Sequence, residues 1–73
     1  MTLTVTEKGK VLYEGNEMTL TAVQSLVERK VRVKEETPVI VQAQGKAGSG
    51  VLVRVIDAAK LGGARVVSLA TVK

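Results

Sequence analysis

The sequence has no cysteine, no histidine, no tryptophan and no phenylalanine. Without Cys no disulfide staples a small fold, so the core must come from packing or from a partner chain. Without Cys and His there is no thiolate nucleophile, no imidazole base and no ordinary zinc site. Six Glu and one Asp remain, scattered among polar neighbours, and no two of them pair in an apolar setting for acid–base work. The single aromatic residue, Tyr13, offers no stacking platform for nucleic-acid bases. No apolar run approaches the roughly 20 residues that a membrane-spanning helix needs. These absences leave no candidate catalytic, cofactor-binding or metal-binding residue.

What is present is aliphatic and β-branched. The chain has 73 residues, of which 45% are hydrophobic, and fourteen of them are valine. One domain of this size buries only roughly 60% of the surface its unfolded chain exposes, so its core is thin. Stiff valine side chains favour strands. The formal net charge is +4, but the eleven cations are spread along the chain. The densest stretch, Arg29 to Lys34, is flanked by Glu28, Glu35 and Glu36. That pattern fits a solvated charged face, and no nucleic-acid partner is expected. A small basic nucleic-acid-binding module is the alternative function.

Periodicity divides the chain into six elements. Thr2-Leu3-Thr4-Val5-Thr6 alternates polar and apolar residues, as a half-buried strand does. Glu7-Lys8-Gly9 is a turn, and Lys10 to Glu14 is a second strand that completes a hairpin and is closed by Gly15-Asn16. Thr19 is an N-cap ahead of a helix whose apolar face is Leu20, Val23, Leu26, Val27 and Val31. Its exit is ambiguous at Val31-Arg32-Val33, and Thr37-Pro38 stops it. Val39 to Ala43 is the strongest strand, apolar enough for burial on both faces or on one face plus a partner. A glycine-rich loop leads to a second helix from Val51 to about Leu61, with Val51, Leu52, Val55, Ile56 and Ala59 inward. Arg54 and Asp57 are spaced for a weak ion pair, and Gly62-Gly63 supplies an exit in the left-handed region. Arg65 to Thr71 is the last strand. The order β-β-α-β-α-β predicts an α/β (α+β) two-layer sandwich, a small mixed sheet with two helices on one face.

The loop from Gly45 to Gly50 invites a phosphate-binding reading, and its spacing declines it. A P-loop places lysine after its second glycine, whereas Lys46 comes too early. Gly48-Ser49-Gly50 begins like a dinucleotide fingerprint, but Val53 stands where the third glycine belongs. Gly45-Lys46-Ala47-Gly48 matches a GxxG nucleic-acid clamp, yet that clamp joins two helices and this loop follows a strand. Ser49 has no His or Lys-Asp pair to activate it and is better placed to cap the second helix.

The second half of the chain carries a family pattern. Thr37-Pro38-Val39-Ile40-Val41-Gln42-Ala43 is followed by a short loop, then Val51 to Lys60 with Ile56-Asp57-Ala58-Ala59-Lys60 at its end, then Gly63 and Val67-Ser68-Leu69. This resembles the periplasmic domain of the ExbD/TolR family of biopolymer-transport proteins, and the resemblance covers essentially all 73 residues. There are departures. The family often has charged residues at the positions of Gln42, Gln44 and Gly45, and Pro-Tyr where this chain has Gly48-Ser49.

The resemblance implies a non-enzymatic role with no cofactor. Relatives sit in the bacterial inner membrane within an ExbB/TolQ-like channel and transmit proton-motive force to TonB- or TolA-like proteins. It implies a single domain over residues 1–73 on the periplasmic side, reached from the channel through a transmembrane helix that this sequence does not contain. Expected partners are a second copy, with strands possibly exchanged, a TonB/TolA-like protein and peptidoglycan. Open sheet edges suit such contacts by strand addition. The candidate edge residues are Thr2, Leu3, Thr4, Val5 and Thr6 of the first strand, and Val66, Val67, Ser68, Leu69, Ala70 and Thr71 of the last.

Overall fold

The structure, a computed structural model, describes the backbone of residues 1–72 and the side chains of residues 1–71. Five strands form one mixed sheet, and two helices cover one face of it. The elements in chain order are β1 (Thr2–Val5), β2 (Val11–Tyr13), β3 (Asn16–Met18), α1 (Leu20–Val33), β4 (Pro38–Gln44), α2 (Ser49–Leu61) and β5 (Val66–Val72). The expected two-layer architecture holds, with one strand more than the sequence pattern indicated. That extra strand is β3, which grows from the segment expected only to close the hairpin. Glu14 and Gly15 adopt φ of 51° and 82°, a tight reversal that folds Asn16 back beside Tyr13. Asn16-Glu17-Met18 lacks the β-branched and aromatic residues that mark β2, a strand of the same length.

The spatial order is β3-β2-β1-β4-β5. β1 runs antiparallel to β2 and parallel to β4, and β4 runs parallel to β5. This corrects the expectation that Thr2 to Thr6 form an edge. Both sides of β1 are occupied, by β2 and by β4, because the parallel crossovers through α1 and α2 place the later strands beyond it. Thr2, Leu3, Thr4 and Val5 are interior to the sheet, and Thr6 already belongs to the turn, where its backbone N–H donates to the Lys10 carbonyl at 2.8 Å. The Met1 nitrogen donates to the Pro38 carbonyl at 2.7 Å, extending the β1–β4 contact by one residue.

Alternation decides which face is core. Leu3 and Val5 lie beside Val41 and Ala43 in register, and all four point toward the helices together with Val11 and Val39. From above they meet Val23, Val27, Val55, Ala58 and Ala59, and Leu26 of α1 is buried as well. No polar or charged side chain is buried among the described residues. The opposite face carries Thr4, Leu12, Ile40, Gln42 and Ser68 and has no helix over it. β4 is therefore buried on one face and flanked by neighbours on both sides.

Local signals explain the helix limits. The Thr19 hydroxyl accepts from the Ala22 N–H at 3.1 Å, the expected N-cap of α1. The helix continues through Val33, and Thr37 caps its exit by donating its hydroxyl to the Lys34 carbonyl at 2.6 Å. α2 begins two residues before Val51, with Gly48 as N-cap and no side chain satisfying its first turn. Ser49 is the first helical residue and does not cap. Gly62 closes α2, and only hydrogen fits there: a Cβ would lie 2.7 Å from the Gln24 carbonyl oxygen and 2.8 Å from the Val27 Cβ of α1. Gly63 then takes φ of +100°, as an exit into β5 requires. Arg54 and Asp57 are not joined in an ion pair. Those among the described residues are Lys10–Glu17 at 3.2 Å and Arg65–Glu35 at 3.1 Å.

Candidate partner-binding edge

A five-stranded open sheet has two edges, and they differ. β3 offers three residues, Asn16, Glu17 and Met18, with Glu17 tied to Lys10 across the hairpin. Short, charged and next to a tight turn, it is a poor template for another strand. β5 offers seven residues, Val66 to Val72, with no charge among them. One side of β5 is paired along its whole length to β4, from Pro38↔Val66 to Gln44↔Val72. Its other side faces no strand.

The structure thus separates the two groups of candidate edge residues. Val66, Val67, Ser68, Leu69, Ala70 and Thr71 line a free edge, whereas Thr2, Leu3, Thr4, Val5 and Thr6 do not. Within β5, Val67, Leu69 and Thr71 fall on the helix-covered face, opposite Val39, Val41 and Ala43. Leu69 is nevertheless 54% exposed, and Val66 on the other face is 47% exposed. Val41, the register partner of Leu69, is fully buried, so the core thins sharply at this border.

α2 forms the rim above β5. It packs over β4 and β5 on one side and against α1 on the other. With Val55 pointing into the core, 100° per residue carries Ala58 and Leu61 to one flank and Leu52 and Ile56 to the other. Ala58 and Leu61 line the groove against α1 with Leu20 and Gln24. Leu52 and Ile56 are half-buried and, like Val67, pack against the core, on the flank of α2 turned away from α1 and toward β5. Sequence reasoning placed both simply in the core. Their phase on the flank turned away from α1 was the available signal.

Two hollows among the described residues lie away from the β5 edge. A hollow of about 280 Å³ between the first hairpin and the helices is floored by Val11, Met18 and Val51, with Lys10, Glu17 and Arg54 at its rim. A shallow depression at the end of α1 is lined by Val31, Arg32, Val33 and Glu35. Glu28 joins Glu35 in lining the second, beside Arg32, and no cluster of potential metal ligands occurs among the described residues.

A family model described as biopolymer transport protein ExbD/TolR matches residues 1–73. The chain belongs to the ExbD/TolR family. No curated protein matches it. Membership in ExbD/TolR brings a transport-associated, non-enzymatic role in biopolymer transport, within membrane-associated energy-transduction complexes. No helix among the described residues is long and apolar enough to cross a membrane. In a family whose members work by contact with other proteins, a free apolar strand edge is the feature of this ExbD/TolR domain best suited to making one.

Proposed function

We propose that this chain is the periplasmic interaction domain of a proton-motive-force-driven complex of the ExbB–ExbD–TonB or TolQ–TolR–TolA type. The observation that carries the reading is the uncharged seven-residue edge of β5 in a chain matched over its full length by this family. An added strand would satisfy the free backbone groups of β5 with main-chain hydrogen bonds, which give affinity without a preformed pocket. The domain dimerises, and it contacts a TonB/TolA-like protein or peptidoglycan. Exchange of β5 between copies is one route to the dimer, since Gly62-Gly63 leads into the strand and its main attachment is the ladder to β4. A transmembrane helix upstream holds the domain at the inner membrane, inside an ExbB/TolQ-like channel.

Sedimentation velocity over a wide concentration range, followed by NMR titration with a TonB-like periplasmic peptide, tests this. The expected result is a concentration-dependent dimer and amide shifts centred on Val66 to Thr71. A monomer at every concentration that shows no shift with the peptide overturns it.

A further inference from the structure

We infer that the β5 edge is selective, and that it takes an extended segment of a second protein with aliphatic and polar residues in alternation and a carboxylate at the end beside Val66. The inference rests on the reading of β5 as the partner edge and adds what the partner must look like.

The alternation follows from the two unlike faces that meet at β5. A strand laid along this edge has every second side chain on the helix-covered side, next to Val67 and Leu69 and below Leu52 and Ile56 of α2. Leu69 is 54% exposed there, so apolar surface waits for a cover on that side. The intervening side chains fall on the helix-free face beside Val66, Ser68 and Ala70, where water reaches them. Aliphatic residues gain on the first side, and polar ones lose nothing on the second.

The carboxylate follows from charge. Lys60 lies on the same flank of α2 as Ile56, one turn further on, close to where β5 begins. It is exposed and enters neither ion pair of the described residues. Arg65, just before Val66, is already held by Glu35 at 3.1 Å, so Lys60 is the cation that borders this end of the uncharged strand without an ion-pair partner among the described residues. A second copy of β5 answers this poorly. Val66 to Val72 contains no carboxylate, and the Arg65 before it arrives already paired with Glu35. A different protein segment with Asp or Glu at that end complements it.

The test uses this chain and short synthetic peptides followed by fluorescence anisotropy, with NMR to locate binding. A peptide alternating valine and threonine and ending in glutamate should bind at Val66 to Thr71. Replacing its valines by asparagine should weaken binding about tenfold or more, the equivalent of one lost aliphatic burial. Replacing the glutamate by glutamine should weaken it about threefold, as an exposed ion pair allows. That loss should vanish against Lys60→Gln and in high salt. Leu69→Ser and Ile56→Ser should reduce affinity for the valine peptide but not for the asparagine peptide, whereas Ser68→Thr should change neither. Circular dichroism shows whether each variant is folded, and Lys60→Gln, on the exposed surface, keeps the charge arm readable in any case.

If valine and asparagine peptides bind equally at β5, the selectivity is overturned while strand addition stands. If the glutamate makes no difference, the carboxylate requirement falls. If self-association at β5 excludes every peptide, the occupant is a second copy and the inference fails. If backbone N-methylation of the valine peptide leaves its binding unchanged, the edge reading itself fails.

Discussion

The two borders of the sheet solve the same problem in opposite ways. β3 is short, follows a reversal with two residues at positive φ, and carries Glu17 in an ion pair with Lys10. β5 is more than twice as long, lacks charge, and leaves Leu69 half in water. Natural sheets blunt their edges with charges, bends and short strands to prevent uncontrolled pairing. Here one edge is blunted and the other is not. The difference shows that this small chain carries the devices that close an edge and uses them on one side of the sheet only.

Four substitutions break or sharpen that contrast. The largest effect belongs to neither edge. Leu3 in β1 is fully buried between both halves of the sheet, so Leu3→Ala should cost about 2–5 kcal/mol in urea denaturation. A loss below about 1 kcal/mol would mean that β1 behaves as an edge after all. Next, Gly62→Ala drives a methyl into the Gln24 carbonyl and Val27, and the overpacking should cost about 1–3 kcal/mol. Because Gly62 joins the helix layer to the start of β5, hydrogen exchange should show β5 amides opening more than those of β3 in this variant.

Leu69→Lys acts on the open edge alone. With its side chain 54% exposed, the substitution should shift folding stability by no more than about 1 kcal/mol. A charge in the middle of β5 should nevertheless abolish strand addition, so light scattering and peptide binding should fall while the melting curve barely moves. The smallest effect is expected on the blunted edge. Glu17→Gln removes the Lys10 partner at a site where both side chains are about 60% exposed, and stability should change by about 0.5 kcal/mol or less. Increased self-association in Glu17→Gln would show that one ion pair was all that closed this edge.

Much of this was legible in the sequence, and the omissions have physical causes. Thr19 announced α1, Thr37-Pro38 announced its end, and the valine run from Val39 announced β4, because each signal is local. Family membership was legible from Pro38 to Leu69. The neighbour of each strand was not, since adjacency depends on where the crossover helices deliver the chain. That is why Thr2 to Thr6 could pass for an edge strand when it lies inside the sheet. β3 was invisible for a different reason: Asn16-Glu17-Met18 has no strand-favouring residue pattern, and its pairing depends on Glu14 and Gly15 turning the backbone. Among the edge residues, Val66 to Thr71 could be named from sequence. The role of Leu52 and Ile56 as their rim needed the geometry of α2 over β5.

The parallel run of β1, β4 and β5 has a mechanical consequence. Met1 enters beside Pro38, at the same end of the sheet at which β5 begins. Tension between an attachment at Met1 and a strand gripped along β5 would therefore run along the strand axes. The ladders β1–β4 and β4–β5 would then be loaded in shear, with their hydrogen bonds, set across the direction of pull, resisting together rather than opening one by one. A domain wired in this way can hold a partner under load without first coming apart.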